Sequence, residues 1–242
     1  MKNSSIQWTH HTFNPWQGCA KVSPGCLHCY AETLVDTRFG RAKWGSNGTR
    51  VRTKDWSGPR KWNAEAEASG TRYRVFCASL ADVFEDRPDL KPWRDELHQL
   101  IRETPCLDWL LLTKRPEVAA DYYRQNPIPG NVWLGTSVET RAMYAKRVPV
   151  LAEIPAKVRF LSCEPLLEDL GELRLDGIDW VIVGGESGPG FRPIEKPWVT
   201  SIRDQCRDAN VAFFFKQWGG IRPKTHGNEL DGKTHEGFPK PR

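Results

Sequence analysis

From residue 73 onward, apolar residues fall into short, nearly uninterrupted runs: YRVFCAS, DWLLLT, NVWLGTS, KVRFLSC, DWVIVGG and VAFFFKQ. Each has the length of a parallel strand buried on both faces. Helical periodicity fills several of the intervals. Leu90, Trp93, Leu97, Leu100 and Ile101 recur at the 3.6-residue period, and Pro92 suits a first helical turn. Residues 116–126, 139–153 and 197–209 supply further helices. Strands alternating with helices predict an α/β fold with right-handed βαβ connections and a mostly parallel sheet or barrel. Between Cys163 and Asp179 the helix signal is weak, so the repeat is imperfect there.

The strands also share an ending. Each passes abruptly from apolar to polar or small residues: Ser79 and Asp82; Thr113-Lys114-Arg115; Thr136-Ser137 with Glu139; Ser162 with Glu164; Gly184-Gly185-Glu186-Ser187; Lys216-Gln217-Trp218. In barrels and open α/β sheets the C-terminal strand ends form the active face. Six such endings in succession read as a ring around a polar ligand, with ordinary helix capping accounting for some of them.

Before residue 73 the texture differs. Residues 1–33 form a Pro/Gly-punctuated loop that carries three cysteines and ends in a helix start at YAETL. Residues 34–72 are basic, Gly-rich and studded with Trp44, Trp56 and Trp62, without helical or strand period. They read as a long insertion or lid on a single domain spanning 1–242, with 219–242 as a C-terminal tail. The competing reading is a solvated insertion whose tryptophans pack back on the body.

Composition narrows the class. Of 242 residues, 39% are hydrophobic and 27% charged, ordinary for a soluble globular chain. No apolar run approaches the roughly 18 residues that span a bilayer, and MKNSSIQWTHH lacks a signal-peptide core, so the expected location is cytoplasmic. The net charge of +5 is compatible with a nucleic-acid partner without demanding one. Seven cysteines make a disulfide framework unattractive. Cys77, Cys106, Cys163 and Cys206 sit singly in or near apolar segments, as small buried hydrophobes do.

The remaining three, Cys19, Cys26 and Cys29, have the spacing C-x6-C-x2-C, with Pro24-Gly25 able to turn Cys19 back toward the pair. Soft thiolates suit zinc or iron–sulfur, not magnesium or calcium. A structural zinc needs a fourth ligand, for which His10, His11 or His28 are at hand. Three thiolates on a [4Fe–4S] cluster instead leave one iron open to a ligand.

IQWTHHTFNPWQGCAKVSPGCLHCYAE, followed by VFCASLADVFED, LTKRPE, WLGTSVE, LSCEPLL, VIVGGESG and ELDGKTHEGFP, closely resembles a phage- and prophage-associated three-Cys-motif family. That family in turn resembles divergent radical S-adenosylmethionine (SAM) enzymes, spore photoproduct lyase among them. The resemblance implies a partial (β/α)6 TIM-like barrel with the cluster in the loop after the first strand. It implies SAM held on the open iron and cleaved to a 5′-deoxyadenosyl radical, with a reductant such as flavodoxin or ferredoxin supplying the electron.

Three departures stand out. The first cysteine gap is six residues rather than three. The commonly aromatic position before the last cysteine is His28, with Tyr30 just after it. Gly184-Gly185-Glu186 follows a late strand rather than the second, so Ser79 and Asp82 take the place of the usual ammonium-binding element.

The resemblance then distributes roles. His28 and Tyr30 lie near the adenine, Asp82 and Ser79 bind the SAM ammonium, and Thr136, Ser137 and Glu139 bind the ribose. Gly184 and Gly185, lacking side chains, suit close backbone approach to a ligand, with Ser187 beside them as a further cofactor-binding candidate. Glu164, Glu186 and Lys216 stand on the substrate side as catalytic candidates, and Lys114 and Arg115 suit a phosphate or carboxylate. Capping, or a snorkelling lysine at a core edge, competes at several of these positions. The substrate expected is a nucleobase or nucleic acid, DNA or a nucleotide, because 34–72 carries nine Lys/Arg against four Asp/Glu and three tryptophans able to stack. The alternative is a zinc-bearing nucleic-acid-binding protein without catalysis.

Overall fold

The computed structural model describes residues 1–222 and 225–240. All six expected strands are present, preceded by a seventh, shorter one. In chain order they are β1 (His11–Thr12), β2 (Tyr73–Cys77), β3 (Leu107–Thr113), β4 (Val132–Ser137), β5 (Val158–Cys163), β6 (Trp180–Gly184) and β7 (Ala212–Gln217). Within each unit the paired strands follow one another in chain order. The helices are α1 (Ser57–Ala68), α2 (Lys91–Glu103), α3 (Pro116–Gln125), α4 (Arg141–Glu153) and α5 (Lys196–Asp208). Among the described residues, no helix is long and apolar enough to cross a membrane. The chain divides into two compact units, one of residues 1–21 and 31–134, the other of 22–30 and 135–242.

In the first unit β1 pairs with β2 and β2 with β3, both parallel, with Val75 opposite Trp109. β3 is buried at every position except Leu112, as a strand covered on both faces must be. α2 turns Leu97, Leu100 and Ile101 inward, the stripe its periodicity predicts. Residues 34–72 require a correction. The segment is not uniformly irregular: Ser57–Ala68 is a helix that packs on α2, β2 and β3. The buried stripe of α1 is Pro59, Trp62 and Ala66, a pattern too poor in large aliphatic residues to register as a period. The Asp55 carboxylate accepts from Ser57 N at 2.8 Å ahead of the first turn. Trp56 and Trp62 are core residues, Trp62 stacked on His11 and Trp56 edge-on to Phe13. Only Trp44 of the three keeps appreciable exposure.

In the second unit β5 pairs with β6 and β6 with β7, again parallel, with a register shift at Val183/Gly184. The core centres on Phe160, Trp180, Phe214 and Phe215. No helix lies between β5 and β6, as the weak helix signal there implies. The tail runs back along β7: Phe215 N donates to His235 O, Gly237 N to Phe213 O, and Phe238 packs on Trp180 and Phe214. This covers what would be an open sheet edge. Within the expected tail, 223–224 and 241–242 lie outside the described residues.

Candidate functional site

In the first unit the segment after β2 and the end of β3 meet at Asp82. Its carboxylate accepts from Thr113 Oγ1 at 2.7 Å, Lys114 N at 3.0 Å, Arg115 Nη1 at 2.8 Å and Phe84 N at 3.0 Å. Asp82 and Arg115 are both buried. The remaining reach of Arg115 goes to the cysteine segment: it donates to Ala20 O at 3.0 Å and lies 3.8 Å from Cys19 Sγ. Burial, with Asp82 adding to it against the opposing pull of Arg115, pushes the Cys19 thiol up to about 12. Burial alone would lower Arg115, but Asp82 and the Cys19 sulfur outweigh it and hold the guanidinium above its ordinary range. Cys19 is fixed from a second side as well, because Gly45 N donates to Cys19 O at 2.9 Å. The 43–50 loop behind that bond is tied by Arg50, which pairs with Glu85 and donates to the carbonyls of Gly45 and Thr49. Ser79 exchanges hydrogen bonds with the Asn14 side chain, which also accepts from Leu80 N.

The second unit holds the segment 22–30. Pro24–Cys26 forms a 3-10 turn, with Ser23 Oγ 3.8 Å from Cys26 Sγ. Three bonds fasten this loop to strand ends. Gly25 N donates to Glu139 Oε1 at 3.3 Å, His28 Nδ1 lies 3.2 Å from Glu186 Oε2, and Arg192 Nη1 donates to Pro24 O at 3.1 Å. Each carboxylate is closed by an arginine. Arg147 donates to Glu139 at 2.9 Å and to Ser137 O at 2.9 Å, fully buried. Arg192 reaches Glu186 through its backbone N, Nε and Nη2. Burial would raise Glu186, but those bonds and His28 prevail and hold its carboxyl below the usual range, so it is an anion at neutral pH. A Cβ on Gly25 would stand 3.0 Å from the Glu139 carboxyl carbon, so the approach depends on glycine there.

The other expected residues separate further. Thr136 and Ser137 are buried in β4. At Gly185 a Cβ would fall 2.1 Å from Trp218 O, so that glycine serves strand packing. A Cβ on Gly184 would stand 3.2 Å from the Glu164 carboxyl carbon. Gln217 Nε2 donates to Ser187 Oγ at 2.7 Å. Lys216 Nζ pairs with Glu164 at 2.5 Å, both half-buried. Tyr30 is exposed, and Cys19, Cys26 and Cys29 form no disulfide. Among the described residues no three His, Cys, Asp or Glu side chains are gathered as a metal-binding group. His10 Nδ1 already accepts from Arg74 N, and His11 Nδ1 from Asn3 N.

Sequence reasoning missed the partners: Asn14, Arg50, Glu85, Arg147 and Arg192. Arg192 stands six residues past Glu186 in ESGPGFR, and Arg147 two helical turns past Glu139. Unpaired carboxylates at strand ends were therefore a signal to look nearby for arginine.

Fold and site together define an α/β protein with a parallel sheet, a cysteine-bearing loop after β1 and arginine-closed carboxylates at its strand ends. Residues 3–239 match the family described as protein of unknown function DUF5131, and the chain belongs to it. Among solved structures, a double mutant of spore photoproduct lyase with bound AdoMet and dinucleoside spore photoproduct is similar at 14% identity and a TM-score of 0.50, over 85% of this chain and 63% of that one. A cysteine-to-serine mutant of the same enzyme is similar at 15% identity and a TM-score of 0.48, with the same coverage. The likeness is one of fold, and this chain spans 63% of the length of those structures. Comparison with curated proteins gave no match.

Proposed function

We propose that the chain is a radical SAM-type enzyme in which Cys19, Cys26 and Cys29 hold a [4Fe–4S] cluster and SAM, and whose substrate is a nucleobase or nucleic acid. The observation that carries this reading is the fastening of the cysteine segment: strand-end ion pairs tie Cys19 on one side and the Cys26–Cys29 turn on the other. A loop held so firmly while its three thiols stay free of disulfides suits a bound group rather than a spacer. The donor set fits, because three thiols within an eleven-residue stretch are soft ligands that leave an iron open. The fold likeness to a lyase solved with bound AdoMet and dinucleoside spore photoproduct supports the choice of cofactor and substrate class.

When bound, cluster and SAM supply a one-electron cleavage that yields a carbon radical able to abstract hydrogen from the substrate. The protein's own residues orient and enclose. Arg115 is the cation beside Cys19 and favours its thiolate, while Asp82 keeps that guanidinium in place. Glu139 and Glu186 act through Gly25 and His28, positioning the turn. Glu164 and Lys216 are the polar pair assigned to the substrate. A small protein reductant such as flavodoxin or ferredoxin supplies the electron.

The test is an anaerobic assay of reconstituted, reduced protein for 5′-deoxyadenosine. Production by the wild type and its loss in Cys26→Ala support the reading. A colourless protein that carries zinc and leaves SAM intact overturns it.

A further inference from the structure

Between Arg38 and Lys54 the chain carries six Lys/Arg and no Asp/Glu. The structure sorts these cations by what they do. Arg50 is committed to buried Glu85, Arg52 to Glu96 and Lys43 to Asp36. Arg38 and Arg41 instead set their guanidiniums 5.3 and 4.6 Å from the ring centroid of Phe39. Phe39 is 47% exposed, and its position is fixed by main-chain bonds, Phe39 N to Leu34 O and Arg41 N to Val35 O. An ordered, half-exposed phenyl ring with two guanidiniums over it buries little apolar surface, so folding gains little from it beyond those surface cation–π contacts.

A short way along the chain, Trp44 lines a cavity of about 300 Å³ with Ala20, Lys21, Glu32, Gly45 and Ser46. The Trp44 backbone is held by the Asp36 carboxylate at 2.8 Å, and the next residue, Gly45, bonds the Cys19 carbonyl. The cavity has room for a base and part of its sugar, and it adjoins the residue that follows Cys19.

We propose that residues 38–46 are a docking strip for single-stranded nucleic acid. Arg38 and Arg41 take backbone phosphates, Phe39 stacks on one base, and the cavity beside Trp44 receives another next to Cys19. Stacking needs bases already unpaired, which sets a single strand or a flipped base apart from an intact duplex. A lone exposed phenylalanine is too little apolar surface to seat a lipid interface. The inference rests on the nucleic-acid part of the proposed function and is independent of the cluster.

The test is fluorescence anisotropy of a labelled oligothymidylate across a salt series, with a duplex and anionic phosphatidylserine vesicles as the other arms. Phe39→Ala and Trp44→Ala are each expected to weaken single-strand binding by roughly fivefold or more. The double variant Arg38→Gln/Arg41→Gln is expected to lower the salt slope by about 1.4, roughly 0.7 for each phosphate contact on a single strand. Arg207→Gln, an exposed arginine on α5, is the charge control and leaves both readings unchanged. Thermal unfolding of each variant checks that it is folded. Oligothymidylate binding that ignores Phe39, Trp44 and both arginines overturns the strip. So does equal affinity for duplex, or binding to vesicles alone. EPR on the wild-type preparation separates the two readings: a wild type with an intact cluster that binds no oligothymidylate overturns only the strip, and oligothymidylate binding without a cluster overturns only the enzyme.

Discussion

At the Cys19 end of the cysteine loop the anchor is a buried ion pair, and its guanidinium reaches the sulfur itself. At the Cys26–Cys29 end the anchors grip the main chain and His28, and their outer members, Arg192 and His28, are about one-third exposed. The first arrangement sets the electrostatics of Cys19. The second sets the path of the chain around Cys26 and Cys29. A buried pair fails all at once when one member is lost, whereas a partly solvated network loosens by degrees.

The largest effect is therefore expected from Arg115→Met, which leaves Asp82 buried without its cation. Urea unfolding should show a loss of about 3 to 5 kcal/mol, and the double variant Asp82→Asn/Arg115→Met should recover part of it. Arg192→Met should cost less, roughly 1 to 2 kcal/mol for charge-assisted bonds in a partly wet site. Its clearer signature is faster loss of iron from reconstituted protein. If Arg192→Met destabilises as strongly as Arg115→Met, the contrast between the two ends is wrong.

Acid separates the two units further. In the first unit, burial lowers His98 to about 4, with Nδ1 on Arg94 O and Nε2 on Tyr123 Oη. A histidine kept neutral when folded contributes stability that is complete above its unfolded value, near 6.5, and is lost as pH falls toward about 4. The Glu186 carboxylate, held low, keeps its contribution until pH falls below the ordinary range near 4.3. His98 alone should take about 1 kcal/mol off the unfolding free energy between pH 7 and 5.5, with His11 and His10, also lowered by burial, adding to the drop, so His98→Gln should shrink the drop by that share and leave the rest. The smallest effect is expected at Gly25→Ala, under about 1 kcal/mol if Glu139 yields by a few tenths of an ångström, read as a modest fall in iron content.

The strands were legible because a parallel strand buried on both faces leaves an unbroken apolar run, as in DWLLLT and DWVIVGG. α1 was not, because its stripe of proline, tryptophan and alanine resembles a loop that happens to contain aromatics. The same segment shows how composition misleads: of three tryptophans suited to stacking, the core takes two, and Phe39 does more for an exposed surface than either. The polar strand ends were visible as a set, but their partners were not. Asp82 meets Arg115, and Glu186 meets His28 far back in the chain, and sequence alone does not pair residues so distant.

The most direct test of the account is the EPR spectrum of anaerobically reconstituted, reduced protein recorded with and without SAM. The account predicts a [4Fe–4S] signal that SAM perturbs, absent in Cys19→Ala, Cys26→Ala and Cys29→Ala alike. A protein that binds no iron, or whose signal survives loss of any one of these cysteines, would contradict it.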